Sequence, residues 1–594
     1  MSGIGGFLGY GGTAISMATV CEAMLTSLKK RGQNEHGTFI SEDVCLLHTS
    51  NPYTGRGPLR AVLGQKAYIL VFDGELYNKD ELIQELKKLG YYLPDASDGA
   101  IVLYSYIAWG EVCVERLLGV FAFAVWDGGR LFVARDRLGL KPFFYATGPR
   151  GFAFASDTKT LLMHPNINPV MSLEGVADMM LIGPAHTPGT TFFRDIKELQ
   201  PGHSASYTNS GGLSICRYWQ LKAKPHSESF EETSYTVRKI LKDAIARQTA
   251  NSPELGVFLS GGLDSSAITA LSGCKDTFSV DYVGNDKYFT PNSFQPDDDN
   301  SYIKEMVTNL RAHHTRVVLG SDELAEALTS AMQARGLPGM GDVDSALLLF
   351  CQNVRESVPI ALTGEGADEI FGGYPWYQQD DEPTTFPWSR DVKYRSSFIA
   401  PHILGRFDPQ AYIHNRFEEA ITAAGSLYDD DAKERQVRRM FHLNLDWFLP
   451  NLATRNESMS AFAGLTVRSP FLDHRLVEYL YNVPWTFKNH NDREKGLLRE
   501  ALKGLLPESV LWRKKSPFPK THNPAYMSKV TDMIRVVEKD APLFTIISRD
   551  AINRLITEEA GQPWYGQLMR VPQTIAYFLQ IDAWMKEYGV VLSI

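Results

Sequence analysis

Residues 260–266 read Ser-Gly-Gly-Leu-Asp-Ser-Ser, directly after the apolar run 257–259 and directly before Ala-Ile-Thr-Ala-Leu. A strand that turns through two glycines into a helix leaves few options for the fold. The start of such a helix presents unpaired N–H groups and a positive dipole end to an anion. Gly261 and Gly262 let the backbone approach phosphate oxygens closely. Ser260, Ser265 and Ser266 add hydroxyl donors, and Asp264 is suited to hold Mg²⁺ against the phosphates. The Gly-Lys-Ser/Thr ending of a Walker A loop is absent.

A second motif repeats the arrangement. Thr363, Gly364, Glu365, Gly366, Ala367, Asp368 and Glu369 follow the apolar run 360–362, and Phe371-Gly372-Gly373-Tyr374 comes next. Loops that leave the carboxyl ends of neighbouring parallel strands converge on one crevice. Asp368 is therefore expected to meet Asp264 at a shared metal. Strand signals at 257–259, 277–280 and 360–363 alternate with helical stretches, which predicts a parallel sheet with helices on both faces.

These motifs occupy only the later part of a 594-residue chain, so more than one domain is expected. Short β-branched and aromatic runs at 3–10, 67–77, 121–127, 130–136 and 143–146 make the first part β-rich. Helical spacing at 80–89 and 100–117 completes a layered α+β pattern. The polar segment 221–233 reads as linker, and 430–594 is mostly helical in pattern. The expected division is 1–205, a linker at 206–233, and 234–594. The acidic clusters 297–299 and 429–431 read as solvated loops.

A net charge of −9 argues against a dedicated nucleic-acid partner, which would show a basic excess. No apolar run reaches the ~18–20 residues of a membrane span, and the first residues lack the pattern of a signal peptide. The six cysteines are scattered, with no CxxC pair and no zinc spacing. The expected location is the cytoplasm.

The segments SGGLDS, GEGADEIFGGY, VRSPFLDHRLVEYL and REKGLLREALKGLLPESVLWRKKSPFPK resemble the asparagine synthetase B family, and the resemblance extends through the N-terminal half. It implies an Ntn-hydrolase-like αββα sandwich followed by an α/β ATP-pyrophosphatase domain, of the adenine nucleotide alpha hydrolase-like kind, with a helical C-terminal part. It implies ATP and Mg²⁺ as cofactors and a carboxylate, most simply the aspartate side chain, activated as its acyl-adenylate. Ammonia or another amine then displaces AMP. By family motif, Ser260, Gly262, Asp264 and Ser265 bind pyrophosphate and Val280 lies beside the adenine, with Gly261, Thr363 and Gly364 also expected in the ATP site. Asp264 and Asp368 hold the metal. Glu365 stands next to the acyl intermediate, and Lys495 stabilises the reacting phosphate, where a fixed cation offsets developing charge. Segments 336–345 and 514–522 are expected to be loops bordering the acyl pocket. A homodimer is implied by analogy with the family.

The first domain departs from the family pattern. Its glutaminase uses an N-terminal cysteine with its own amine as base, and this chain has Ser2, an un-ionised and far weaker nucleophile. The RGPD loop is replaced by Arg31-Gly32-Gln33-Asn34. The arginine that takes the glutamine carboxylate is replaced near His48-Thr49. The oxyanion asparagine of NGEIYN is replaced by Asp73, ahead of Gly74, and an anion there would repel the oxyanion. Of the SDTE segment only Ser97-Asp98 remains. The strands 119–127 and the segment 134–142 match the family well. The pattern implies a retained scaffold without glutamine hydrolysis. Two alternatives remain at this level. One is a β-lactam synthetase or lasso-cyclase relative that closes an internal amide. The other is a glutamine-dependent enzyme whose cysteine was replaced by design.

Overall fold

The β-rich first third folds into two six-stranded antiparallel sheets. The computed structural model describes all residues except 1, 10–15, 51–54, 149–150, 251, 253, 290–297, 380–381, 558–562 and 567–568. One sheet runs in the order Lys197–Glu198, Phe144–Gly148, Gly151–Ala155, Ser2–Gly9, Val44–Ser50 and Glu35–Ile40. The other runs Gly212–Arg217, His203–Thr208, Leu131–Arg135, Gly119–Trp126, Lys66–Leu76 and Leu59–Leu63.

Alternation along the strands builds the layers, because successive side chains point to opposite faces. Ile4, Leu8 and Leu46 meet Val71, Ala122 and Val133 between the sheets. Phe7, Cys45 and Leu47 face the other way, onto Leu25 and Leu28 of the helix Met17–Leu28. On the far side, Leu70, Phe121 and Phe123 pack against Leu82, Ile101 and Val102 of the helices Lys79–Lys88 and Asp98–Trp109. The result is the αββα sandwich that the family resemblance implies.

Three expectations need correction here. The helix expected over 100–117 stops at Trp109, because Gly110 takes φ 64° and breaks the hydrogen-bond ladder; a short 3₁₀ turn and Cys113–Arg116 follow. The expected boundary at 205 falls inside the hairpin His203–Thr208 and Gly212–Arg217, which extends the second sheet. Its outer strand is largely exposed and has no apolar alternation to read. The expected linker also ends early. Ser229 and Glu232 form a capping box that starts the helix Phe230–Thr249.

The second domain is built on a five-stranded parallel sheet, ordered His313–Leu319, Asp276–Tyr282, Leu255–Phe258, Ile360–Leu362 and Thr466–Arg468. One face packs Val257, Val237, Leu241 and Ala267, and the other packs Phe278, Val317, Leu347 and Ala361. The chain from 432 onward is mainly helical and ends in the strand Val591–Ser593, which pairs with Val170–Ser172 of the first domain. Among the described residues, no helix is long and apolar enough to cross a membrane.

Candidate active site

Leu255–Phe258 and Ile360–Leu362 are neighbours in the sheet, with Val257 opposite Leu362. The two motif loops therefore emerge side by side. They touch so closely that a Cβ on Gly364 would lie 2.8 Å from the Ser265 nitrogen. Gly261 has φ 68°, and a Cβ there would meet Tyr302 and Ile303 at 2.8 Å. The helix Leu263–Ser272 begins at Gly262 with no side-chain cap, so its first N–H groups face the crevice. Ser260 and Ser265 brace the loop: their hydroxyls lie 3.0 Å apart, and Ser265 Oγ accepts from the Ser260 N–H at 3.1 Å. Ser266 departs from expectation. It is fully buried and does not line the crevice.

The crevice is a cavity of about 280 Å³ lined by Ser260, Gly262, Asp264, Ser265, Val280, Thr363, Gly364, Glu365, Asp368 and Lys495. Lys495 is 3% exposed and takes the left-handed conformation at φ 56°, uncommon for a residue with a side chain. Its Nζ lies 2.5 Å from Asp264 Oδ2 and 2.6 Å from Asp368 Oδ1. Burial lowers the Lys495 pKa, but the two carboxylates outweigh it and hold the ammonium above its ordinary range. Asp368 also receives Lys515 Nζ at 2.5 Å. Burial raises its pKa, yet the two lysines bring it down to about 2. For Asp264 burial outweighs Lys495 and the more distant Lys515 and pushes its carboxyl upward. Gly373 is the close-packing residue here, because a Cβ on it would lie 2.0 Å from Asp368 Oδ1 and 2.3 Å from Lys495 Cε.

At the other end of the cavity, Arg455 Nη2 donates to Glu365 Oε1 at 3.0 Å. Burial raises the Glu365 pKa, with Arg455 opposing it. Glu369 is pushed up to about 7 by burial and by Asp368, while Tyr374 Oη donates to it at 2.6 Å. Around this end stand Met340, Trp376, Phe448, Phe518 and Tyr565. Met340 and Phe518 lie in the two segments expected at the acyl pocket. However, 342–345 are not loop: they form the first turn of the helix Asp342–Arg355.

Sequence reading missed Arg455, which carries no local pattern, and gave no individual role to Lys515 and Arg513, although both lie in the segment REKGLLREALKGLLPESVLWRKKSPFPK and Lys515 also in 514–522. Arg513 donates to the Ser260 carbonyl at 3.3 Å and pairs with Asp299. That pair overturns the solvated-loop reading of 297–299 at Asp299; Asp297 lies outside the described residues. Asp430 in the other acidic cluster is likewise buried, paired with Arg438 at 2.8 Å.

In the first domain, Ser2 and Asp73 do come together. Ser2 is 1% exposed, and its backbone N–H donates to Asp73 Oδ1 at 3.3 Å. Asp73 is not the bare anion expected, because Lys141 Nζ stands 3.2 Å and Arg31 3.8 Å away. Gly74 continues the strand, where a Cβ would lie 2.2 Å from the Val120 carbonyl. Thr49 Oγ1 donates to the Leu28 carbonyl at 3.4 Å. Asp98 is bound by the Leu76 N–H and by Lys79 Nζ, each at 2.9 Å.

Comparison with known proteins matches residues 236–586 to the asparagine synthase family model and residues 1–219 to the glutamine amidotransferase domain. The chain belongs to the asparagine synthase family. Membership makes it an ATP-dependent carbon–nitrogen ligase. It is 39% identical over 610 aligned residues to asparagine synthetase (glutamine-hydrolyzing) 3 of Bacillus subtilis (strain 168), covering 99% of each chain. It is 25% identical to asparagine synthetase (glutamine-hydrolyzing) 1 of the same strain, covering 89% of this chain and 88% of that one. A further relative is the amidase chry2 of Gibberella zeae, at 25% identity and 84% of each chain.

Proposed function

We propose that the protein adenylylates a small carboxylate, most simply the aspartate side chain, and passes the acyl group to ammonia or another amine without hydrolysing glutamine. The observation that carries this reading is Lys495, buried between Asp264 and Asp368 at the mouths of two adjacent strands. The open helix start at Gly262 and the close-packed glycines suit the phosphates of ATP. Asp264 and Asp368 suit Mg²⁺. Asp264 Oδ1 is buried without a hydrogen-bond partner, and hard divalent cations take such carboxylate oxygens. Bound there, Mg²⁺ would neutralise phosphate charge and favour pyrophosphate departure.

The remaining work falls to this chain's side chains. Lys495 supplies a fixed cation for the charge that develops on the α-phosphate as the carboxylate attacks. Glu365, paired with Arg455, faces the acyl end and is placed to receive a proton from the incoming amine. The reading without glutamine hydrolysis is supported by Ser2 and by the hydrogen bonds that engage Thr49 and Asp98 elsewhere.

The test is ATP–pyrophosphate exchange with aspartate and other carboxylates, followed by amide formation with ammonium or glutamine. Exchange with aspartate and product from ammonium alone support the reading. Glutamate release that keeps pace with amide formation would end the claim about glutamine.

A further inference from the structure

Four charged side chains are buried together where the two domains meet. Arg31, Asp73 and Lys141 come from the first domain, and Glu457 comes from the helix Leu449–Phe462 of the second. Their exposures are 4%, 0%, 6% and 7%. Lys141 Nζ lies 3.2 Å from Asp73 Oδ1 and 3.4 Å from Glu457 Oε1. Arg31 Nη2 pairs with Glu457 and lies 3.8 Å from Asp73 Oδ2. Two cations and two anions make the cluster neutral.

Glu457 stands two residues beyond Arg455, whose guanidinium pairs with Glu365. At 3.6 residues per turn these two positions are about 200° apart on the helix. One side of the helix is tied to the adenylating centre, and the other is tied to the first domain. A cavity of about 40 Å³ lies between them, lined by Glu365, Asn456, Glu457 and Lys141. Ion pairs on opposite sides set both the rotation and the height of the helix.

Asp73 completes this arrangement. A neutral asparagine there would remove one of the two anions packed against Arg31 and Lys141 and leave the four residues with a net positive charge held out of water, with Glu75 the next anion acting on Lys141. Removing one partner from a buried ionic group is strongly destabilising for that reason. Glu457 would then be drawn toward two cations, and Arg455 would move with it.

We infer that Asp73 is a positioning residue for the adenylating centre: through Lys141, Arg31 and Glu457 it sets the helix that holds Arg455 against Glu365. The place that serves an oxyanion in the family's glutaminase has become, in this chain, part of a lock between domains. The catalytic consequence rests on the proposed adenylylation, whereas the positioning of the helix does not.

The experiment uses the full chain with Asp73→Asn and with the double variant Asp73→Asn/Lys141→Gln, which makes the cluster neutral again. Two readouts are followed: ATP–pyrophosphate exchange with aspartate, and backbone hydrogen exchange of the peptide covering 449–462. D73N is expected to lower the exchange kcat about tenfold with KM for ATP within about twofold. It is also expected to speed amide exchange in 449–462, across the domain boundary from the substitution. The double variant is expected to return both within about threefold of wild type. Unchanged protection of 449–462 in D73N overturns the inference, as does a folded double variant with no recovery. Should D73N fail to fold, the double variant decides by the same two readouts. A wild-type chain that gives no exchange with any carboxylate sinks the functional reading, and the protection of 449–462 still decides the positioning.

Discussion

Lys495 Nζ donates to Asp264 Oδ2 at 2.5 Å, across 231 residues of chain, from a lysine that is 3% exposed. A cation this buried is kept charged by its partners and costs no reorganisation when phosphate charge develops nearby. Replacing it by methionine, of similar length, should lower ATP–pyrophosphate exchange by about 10²–10³-fold, the scale for losing one preorganised donor. Measured exchange within a few-fold of wild type would remove Lys495 from the centre.

Gly373 shows how little room the centre has. An added Cβ would fall 2.0 Å from Asp368 Oδ1 and 2.3 Å from Lys495 Cε, so one of the two groups must move. Gly373→Ala is therefore expected to reduce exchange about tenfold or more, because misplacement on the ångström scale is costly in a preorganised site. Far-ultraviolet dichroism should be unchanged, and exchange kinetics provide the check.

Asp342 gives a pH signature. Burial raises its folded pKa to about 6, with Gln573 and Lys520 opposing the rise. Below the unfolded value of 3.8 the carboxyl is protonated in both states and burial costs no charge. As pH rises toward 6 the unfolded chain ionises first, so stability falls through that window and then levels. Asp342→Asn should match wild type near pH 4 and exceed it above pH 6 by on the order of 3 kcal/mol. Urea unfolding of both proteins from pH 4 to 8 measures the difference, and parallel curves would contradict it.

Restoring the nucleophile alone should not restore glutamine use. In Ser2→Cys the cysteine would still face Asp73, which is held by Lys141 and Arg31, and Asp98 would still be occupied by Lys79. Glutamate release is expected to stay at background while ammonium-dependent amide formation continues. Glutamine-dependent product from this single variant would show that the domain lacks only its thiol.

The domain interface should respond to one bidentate pair. Glu75 receives Arg468 at 2.7 and 2.8 Å, and the arginine outweighs burial to hold the carboxyl at about 2. Glu75→Gln leaves that arginine without its anion and should destabilise the protein by about 3–5 kcal/mol. Calorimetry gives the measurement, with an unchanged transition as the contrary result.

The sequence by itself determined the parallel sheet and the meeting of its two motif loops at one crevice. A glycine turn between an apolar run and a helix is local chemistry, and two such turns at 260–266 and 363–369 must meet at one sheet edge. It also carries Ser2, Thr49 and Asp73 where the family resemblance implies other residues. Tertiary structure decided the rest. The helix expected over 100–117 was broken by one glycine's backbone angle, which periodicity does not encode. The hairpin that closes at Arg217 has an exposed outer strand with no apolar pattern to read. Arg455, Lys515 and Arg513 are ordinary polar residues until folding removes them from water beside carboxylates. The partnership of Arg31 with Glu457 spans 426 residues. Charges that far apart in sequence acquire their roles only when burial takes away solvent and leaves them to neutralise one another.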